Sequence, residues 1–160
     1  MKKILLFDWG NTIMVDFELP GPMYTWDIAE WVPGAEAALE ALSGYTCCIA
    51  TNGAESDKSD AVKGLAMVGA DRYFSHIFAS KDMGYEKPDP EFFAHILSTL
   101  DPDPSVYVMI GDNYEKDIVG AKQAGIDTVF FNRKNLRGSF PLADAVICSM
   151  EELPAVIEML

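Results

Sequence analysis

The sequence lacks the features of membrane and secreted proteins. No apolar run reaches the roughly 18 residues that a membrane span needs. The short apolar run behind the N-terminal lysines ends at Asp8, so it is a poor signal-peptide core. There are only three cysteines, Cys47, Cys48 and Cys148, and no Cys-x-x-Cys spacing occurs. This favours free thiols in a reducing compartment, and we expect a cytoplasmic protein.

Basic residues are also scarce. Twelve lysines and arginines face 25 acidic residues, which gives a formal net charge of −13. Such a charge repels nucleic acids and anionic membranes, so neither is an expected partner. The two histidines, His76 and His95, lie far from each other and from the cysteines, which disfavours a zinc site. A phosphorylated substrate would meet the same repulsion, and a bound divalent cation would offset it.

What the sequence does contain is a regular alternation of short apolar strands and longer amphipathic stretches. Strands are predicted at 3–9, 46–50, 77–80, 106–110, 128–131 and 145–147, and helices at 35–42, 58–68, 90–100, 114–124 and 150–160. Strands that are apolar on both faces and separated by helices indicate a parallel sheet covered on both sides. We therefore predict an α/β fold, a three-layer Rossmann-like sheet, in a single domain over residues 1–160.

Polar residues follow three of the predicted strands. Asp8 ends the first strand, Thr51-Asn52-Gly53 ends the second, and Gly111-Asp112 ends the fourth. In open α/β sheets the ligand crevice lies outside the carboxyl ends of the strands. Turns favour these residue types in any case, but two acids at one sheet edge predict a functional site there.

Four separated motifs, in order over nearly the whole chain, resemble those of the haloacid dehalogenase-like superfamily. They are LLFDWGNTIMVD, CIATNG, GYEKPDPEFF and VMIGDNYEKDIVGAKQAG. The last two, at their observed separation, are the most specific. Most members of this superfamily are magnesium-dependent phosphohydrolases, so the resemblance implies a phosphatase with this fold and a Mg²⁺ cofactor.

The resemblance also implies roles for the acids. Asp8 would be the nucleophile that attacks phosphorus and forms an aspartyl-phosphate. Mg²⁺ would be bound by Asp8, Asp112 and the main-chain carbonyl of Gly10. Asp117 would belong to the metal site as a direct or outer ligand; the alternative is an acid that is favourable in a first helical turn.

Further residues would contact the phosphoryl group. Lys87 would neutralise the carboxylates and the transferring group, and the Pro-Asp-Pro sequence behind it argues against an ordinary solvated lysine. Thr51 would donate its hydroxyl to a phosphoryl oxygen. Asn11, Asn52 and Gly53 are the predicted substrate-binding residues, the last two through amides that form an anion nest. An ordinary turn is nearly as good an interpretation of Asn52 and Gly53.

A cap domain is missing from the pattern. Superfamily members often insert one after the first or second motif, but residues 14–31 are too few and residues 51–87 only suffice for the core. The segment 14–31 holds Tyr24, Trp26 and Trp31. It forms either a flap over the site or a segment packed against the body. An open site suits either a large substrate, such as a phosphorylated macromolecule, or an oligomer whose neighbour covers the site. The expected substrate is a phosphorylated small molecule or a phosphorylated macromolecule.

Gly10 is the second departure from the pattern of the superfamily. Phosphatases of this family usually have an aspartate there, which protonates the leaving oxygen and then activates water. Such help is typically worth about 10²–10⁴-fold in rate, so we expect a preference for acyl and aryl phosphates over alkyl phosphates. Asp16 or Glu18 could replace the acid. A metal-independent dehalogenase and a catalytically weakened phospho-ligand-binding module are the alternative functions.

Overall fold

Six parallel strands form the centre of the computed structural model, which describes residues 2–53 and 55–160. The strand order is β3-β2-β1-β4-β5-β6, and every neighbouring pair is parallel. The strands are β1 Ile4–Phe7, β2 Thr46–Thr51, β3 His76–Ala79, β4 Tyr107–Gly111, β5 Asp127–Phe131 and β6 Ala145–Ile147. The predicted α/β architecture is confirmed. Within the described residues, no helix is long and apolar enough to cross a membrane.

Helices cover both faces of the sheet. They are α1 Ala35–Ala41, α2 Lys58–Ala66, α3 Ser80–Met83, α4 Pro90–Thr99, a π-helix Tyr114–Val119, α5 Gly120–Gln123 and α6 Leu153–Met159, with 3-10 turns at Met23–Thr25, Asp71–Tyr73, Pro104–Val106 and Met150–Glu152. Along β1, Leu5 and Phe7 pack into the core that holds α1, α2 and α6, whereas Leu6 packs into the core that holds α4 and α5. Both faces of β1 are therefore buried, which explains why this strand is apolar throughout.

The elements differ from the predicted ones in a few places. The third strand lies one residue earlier, at His76–Ala79, and α3 follows it directly. Asp57 caps the N-terminus of α2, in a reciprocal capping box with Asp60. The predicted helix 114–124 begins as a π-helix and the predicted helix 150–160 begins as a 3-10 turn.

The strand order places a crevice above the middle of the sheet. The chain adds β2 and β3 on one side of β1, then crosses back and adds β4, β5 and β6 on the other side. The direction of winding therefore reverses between β1 and β4, and ligands of open α/β sheets bind outside the carboxyl ends of the strands at such a point. Asp8 and Asp112 directly follow the two strands that flank it.

Candidate active site

Asp8 extends the sheet by one residue beyond β1. Its N–H donates to the carbonyl of Ile110 on β4, at 2.9 Å, so the backbone that carries the carboxylate is fixed by the ladder. The side chain is 15% exposed. One carboxylate oxygen, Oδ2, accepts a hydrogen bond from the Thr12 hydroxyl at 3.4 Å. Asp8 is thus a partly buried acid whose direction is set by two neighbours.

Lys87 lies between two of the acids. Its Nζ is 3.1 Å from Asp8 Oδ1 and 2.6 Å from Asp117 Oδ1, and its side chain is only 2% exposed. Burial alone would lower the pKa of this lysine, but the negative charges of Asp117 and Asp8 outweigh it and raise the pKa. Lys87 therefore stays charged, and it is a buried ammonium rather than a solvated surface lysine.

Asp117 reaches the site from a widened helical turn. Gly120, which follows the π-helix Tyr114–Val119, donates its N–H to the carbonyl of Glu115, five residues earlier. The Asp117 carboxylate points back toward the strand end, where Oδ2 accepts the Asn113 N–H at 3.0 Å. Gly111 makes this close approach possible, because a Cβ on it would lie 2.5 Å from the Asp117 Cβ and would overlap the carboxylate.

The acids of this site repel one another. Burial, and next the Asp8 carboxylate, raise the pKa of Asp112 to about 8. Burial also raises the pKa of Asp117 to about 6, with Asp8 adding to the effect and Lys87 opposing it. One ammonium therefore does not offset the burial and mutual repulsion of these acids, and the pKa values of Asp112 and Asp117 lie above that of an ordinary aspartate.

The same three acids form a donor set for a cation. Asp8, Asp112 and Asp117 each offer a carboxylate oxygen, and these oxygens lie within 4.8 Å of one another. Mg²⁺ prefers oxygen ligands and usually takes only one or two carboxylates besides water and substrate. The unbalanced negative charge and the donor chemistry both fit a divalent cation. Gly10 lines the same cleft, and the role of its carbonyl as a ligand stays a prediction.

Residues at the end of β2 form hydrogen bonds to the backbone of Lys87 and to one another. The Asn52 side chain accepts the Lys87 N–H at 2.7 Å and donates to the Lys87 carbonyl at 2.8 Å. The Gly53 N–H donates to Thr51 Oγ1 at 3.1 Å. Thr51 is 4% exposed, and its own O–H can still be donated to a ligand. In this arrangement the side chain of Asn52 and the amide of Gly53 form hydrogen bonds within the protein, and the anion nest stays a prediction.

Asn11 was expected to bind substrate, and that role stays a prediction. It is absent from the residues that line the cleft. Its φ of 60° places it in the left-handed region, and its Oδ1 accepts the N–H of Asp16 at 2.9 Å. Asparagine tolerates this backbone conformation better than most residues and bonds to backbone groups a few positions away. The structure therefore gives Asn11 a role in shaping the turn behind Gly10.

Segment 14–31 is anchored at both ends and lines the cleft. Val15 donates its N–H to Glu30 O at 2.9 Å. Trp26 donates its indole N–H to Pro20 O, at 3.0 Å, and also lines the cleft. Trp31 instead packs edge-on against Tyr73 of the body. Trp26 thus lies at the cleft and Trp31 packs against the body, and a flap over the site stays a prediction.

The cleft is about 650 Å³ in volume and contains several residues that the sequence analysis did not single out. Lys116, Ser56 and Glu55 line it, and Thr12 contacts Asp8 as described. Thr12 could have been found from its place in the first motif. Lys116 and Glu55 gave no signal, because an exposed charged residue near a helix start is common on any surface.

Comparisons with known proteins agree with this architecture. A protein-family model described as a haloacid dehalogenase-like hydrolase matches residues 11–125. A HAD phosphatase from Thermococcus onnurineus has the same fold, with a TM-score of 0.79, 23% identity and 98% coverage of both chains.

Two curated phosphatases are related in sequence. Glyceraldehyde 3-phosphate phosphatase of Pyrococcus furiosus is 31% identical over 132 residues, which are 81% of this chain and 54% of that protein. Phosphoserine phosphatase of Thermus thermophilus is 33% identical over 103 residues, 63% of this chain and 40% of that protein. The chain thus spans about half the length, or less, of these relatives. By the family match over residues 11–125, the chain belongs to the haloacid dehalogenase-like hydrolases.

Proposed function

We propose that this protein is a Mg²⁺-dependent phosphatase that forms an aspartyl-phosphate on Asp8. The observation that carries the proposal is the cluster at the β1–β4 crevice, where Asp8, Asp112 and Asp117 bring carboxylate oxygens together and the Lys87 ammonium pairs with Asp8 and Asp117. A cluster of this kind suits a reaction in which negative charge accumulates on phosphoryl oxygens. The phosphatase names of the two curated relatives support the same reaction class.

In the proposed reaction Asp8 attacks phosphorus, and the bond from phosphorus to the leaving oxygen breaks. Lys87 uses two N–H groups to hold Asp8 and Asp117, and an ammonium has three donors, which leaves a third N–H that would donate to a phosphoryl oxygen. The Thr51 hydroxyl donates to a second oxygen. Mg²⁺, held by Asp8, Asp112, Asp117 and the Gly10 carbonyl, would supply positive charge at the phosphoryl group.

The substrate we propose is a phosphorylated small molecule. A cleft of about 650 Å³ falls within the range of small-molecule sites, roughly 300–1,000 Å³. Segment 14–31 would act as a flap that gives this cleft one wall. Because the chain has no cap domain in its pattern, the alternatives are a phosphorylated macromolecule as the substrate, or an oligomer in which a neighbouring subunit covers the cleft.

Gly10 sets the expected leaving-group preference. A glycine supplies no proton to the leaving oxygen, so we propose that acyl and aryl phosphates are hydrolysed faster than alkyl phosphates. Those leaving groups depart as weak bases and gain little from general acid help. Equal kcat/KM values for p-nitrophenyl phosphate and glycerol phosphate would contradict this preference.

The test is a panel of phosphate esters with wild type, Asp8→Asn and the exposed control Asp71→Asn, each in Mg²⁺ and in EDTA. We expect turnover by wild type and Asp71→Asn in Mg²⁺ only, and phosphoprotein after acid quenching that is lost in Asp8→Asn. Metal-independent release of halide from a 2-haloacid would point to a dehalogenase instead. Phosphate binding without turnover of any ester would point to a binding module.

A further inference from the structure

The space beside Gly10 is taken by a different acid. A Cβ built on Gly10 would lie 3.5 Å from the Asp16 Cβ and 3.6 Å from Asp16 Oδ2, and the three nearest atoms all belong to Asp16. Gly10 is not among the glycines with positive φ, so its backbone would accept a side chain. The carboxylate that a residue-10 side chain would bring to the cleft is therefore brought there by a residue six positions later.

Hydrogen bonds hold Asp16 in this position. Its N–H donates to Asn11 Oδ1 at 2.9 Å, and its Oδ1 accepts the Glu18 N–H at 2.8 Å. The neighbouring Val15 N–H is bound to Glu30 O across the base of the segment. One oxygen thus fixes the carboxylate, and the other, Oδ2, faces the place of the missing side chain. Asp16 also lines the cleft that contains Asp8.

We propose that Asp16 is the acid–base residue of the phosphatase reaction, an inference that rests on the function proposed above. As Asp8 attacks phosphorus and the bond to the leaving oxygen breaks, the Asp16 carboxylic acid gives its proton to that oxygen, which leaves as an alcohol. The Asp16 carboxylate then takes a proton from water as the water oxygen attacks phosphorus. The bond from phosphorus to Asp8 breaks, which releases phosphate and restores both aspartates.

Asp16 acts from an exposed segment, so its help is smaller than that of an acid fixed at position 10. The preference for aryl over alkyl phosphates therefore persists in wild type and widens when Asp16 is changed. Asp16→Asn is the suitable variant, because the amide oxygen can still accept the Glu18 N–H. Asp27→Asn is the matched control: Asp27 is an exposed acid of the same segment and lies outside the cleft lining.

The experiment compares kcat/KM in Mg²⁺ for p-nitrophenyl phosphate and glycerol phosphate. We expect Asp16→Asn to lose about 10²-fold on the alkyl phosphate and only a few-fold on the aryl phosphate, while Asp27→Asn matches wild type. Phosphoprotein should accumulate in quenched Asp16→Asn, because the water that cleaves it has lost its base. Gly10→Asp combined with Asp16→Asn should recover hydrolysis of the alkyl phosphate.

The outcomes separate this inference from the proposed function. Asp8-dependent turnover of the aryl phosphate, with the same alkyl-to-aryl ratio in wild type and Asp16→Asn, would overturn the role of Asp16 alone. If Glu18→Gln lost as much kcat/KM on the alkyl phosphate as Asp16→Asn does, the role would pass to Glu18 and the assignment to Asp16 would be overturned. No turnover and no phosphoprotein in wild type would remove both proposals together. Thermal melting of each variant shows whether a loss reflects unfolding.

Discussion

Replacing Lys87 by methionine should destabilise the protein strongly when no divalent cation is present. The Lys87 Nζ lies 2.6 Å from Asp117 Oδ1 and 3.1 Å from Asp8 Oδ1, and the lysine is 2% exposed. Methionine retains much of the apolar stem but removes the ammonium. The two carboxylates would then share a buried site without their cation.

The expected loss follows from the burial of these groups. Removing one partner of a buried ion pair costs about 3–5 kcal/mol, because it leaves an uncompensated charge. Part of this cost can be avoided by proton uptake, since the pKa of Asp117 is already raised to about 6 beside Lys87 and should rise further without it. We therefore expect a loss near the lower figure, about 3 kcal/mol, around neutral pH.

Magnesium should reduce this loss. The three carboxylates and Lys87 carry a formal charge of −2 when all are ionised, and without the lysine the charge is −3. A more negative site should bind a divalent cation more tightly, and a ligand that binds only the folded state stabilises it by RT ln(1 + [L]/Kd), which grows as Kd falls. Lys87→Met should therefore regain more stability from added Mg²⁺ than wild type does, although its turnover is lost.

The assay is urea unfolding of wild type, Lys87→Met and the exposed control Lys134→Met, in EDTA and in excess Mg²⁺. The free energy of unfolding should fall by about 3 kcal/mol for Lys87→Met in EDTA, and by less in Mg²⁺, with little change for Lys134→Met. An unchanged unfolding midpoint of Lys87→Met in EDTA would refute the reasoning, because the pair would then contribute nothing to stability. An equal loss in both buffers would refute the link to the cation.

Three further predictions concern the same site. Gly111→Ala should displace the Asp117 carboxylate that its Cβ would overlap, with a loss of about 1–3 kcal/mol in urea unfolding and weaker Mg²⁺ binding by calorimetry. Asn52→Ala removes two hydrogen bonds to the Lys87 backbone and should cost about 2 kcal/mol; a midpoint equal to wild type would contradict this. Burial and Asp8 raise the pKa of Asp112 to about 8 from 3.8, so the folded protein holds a proton that the unfolded chain has released. Relative to Asp112→Asn, the metal-free wild type should therefore lose stability as pH rises from about 4 to about 8, and a flat difference would contradict the raised pKa of Asp112.

The sequence was sufficient to predict which strand ends meet. Parallel strands bring their carboxyl ends to one edge, so residues that follow the apolar runs must lie near one another once the sheet forms. The sequence alone therefore places Asp8, Thr51 and Asp112 at the same edge of the sheet. Lys87 could be proposed only through the resemblance, because its position depends on a loop whose path is not encoded in any periodicity.

The partners of the two asparagines could not be predicted for the same reason. The Asn52 side chain binds the backbone of Lys87, 35 positions away. The Asn11 side chain accepts the N–H of Asp16, five positions away. Asparagine is common in turns for several physical reasons, among them left-handed backbone and short-range hydrogen bonds. A predicted substrate contact and an internal support therefore look the same in sequence, and only the loop path separates them.

The π-helix is a further feature that sequence periodicity does not reveal. Residues 114–124 have the spacing of an ordinary helix, and a single wide turn changes that spacing by only one residue. The wide turn nevertheless affects the site, because Asp117 lies within it and sends its carboxylate back to Lys87 and to the Asn113 N–H. π-helical turns are rare and occur frequently at functional sites, which fits the place of this one.

The negative charge of the whole protein adds to the excess of negative charge at this site. The chain carries a formal charge of −13, and Asp16, Glu18 and Glu55 add acids around the cleft in which the carboxylate cluster lies. A phosphate ester brings further negative charge to the same place, against a field that would slow its approach. Lys87 cannot offset this alone, since its ammonium is already bound to two carboxylates. Under the proposed function, Asp8, Asp112 and Asp117 would hold a divalent cation that would polarise the phosphoryl group and offset the formal charge of −2 at the site. Because the protein as a whole stays negative, raising the ionic strength should speed the approach of substrate.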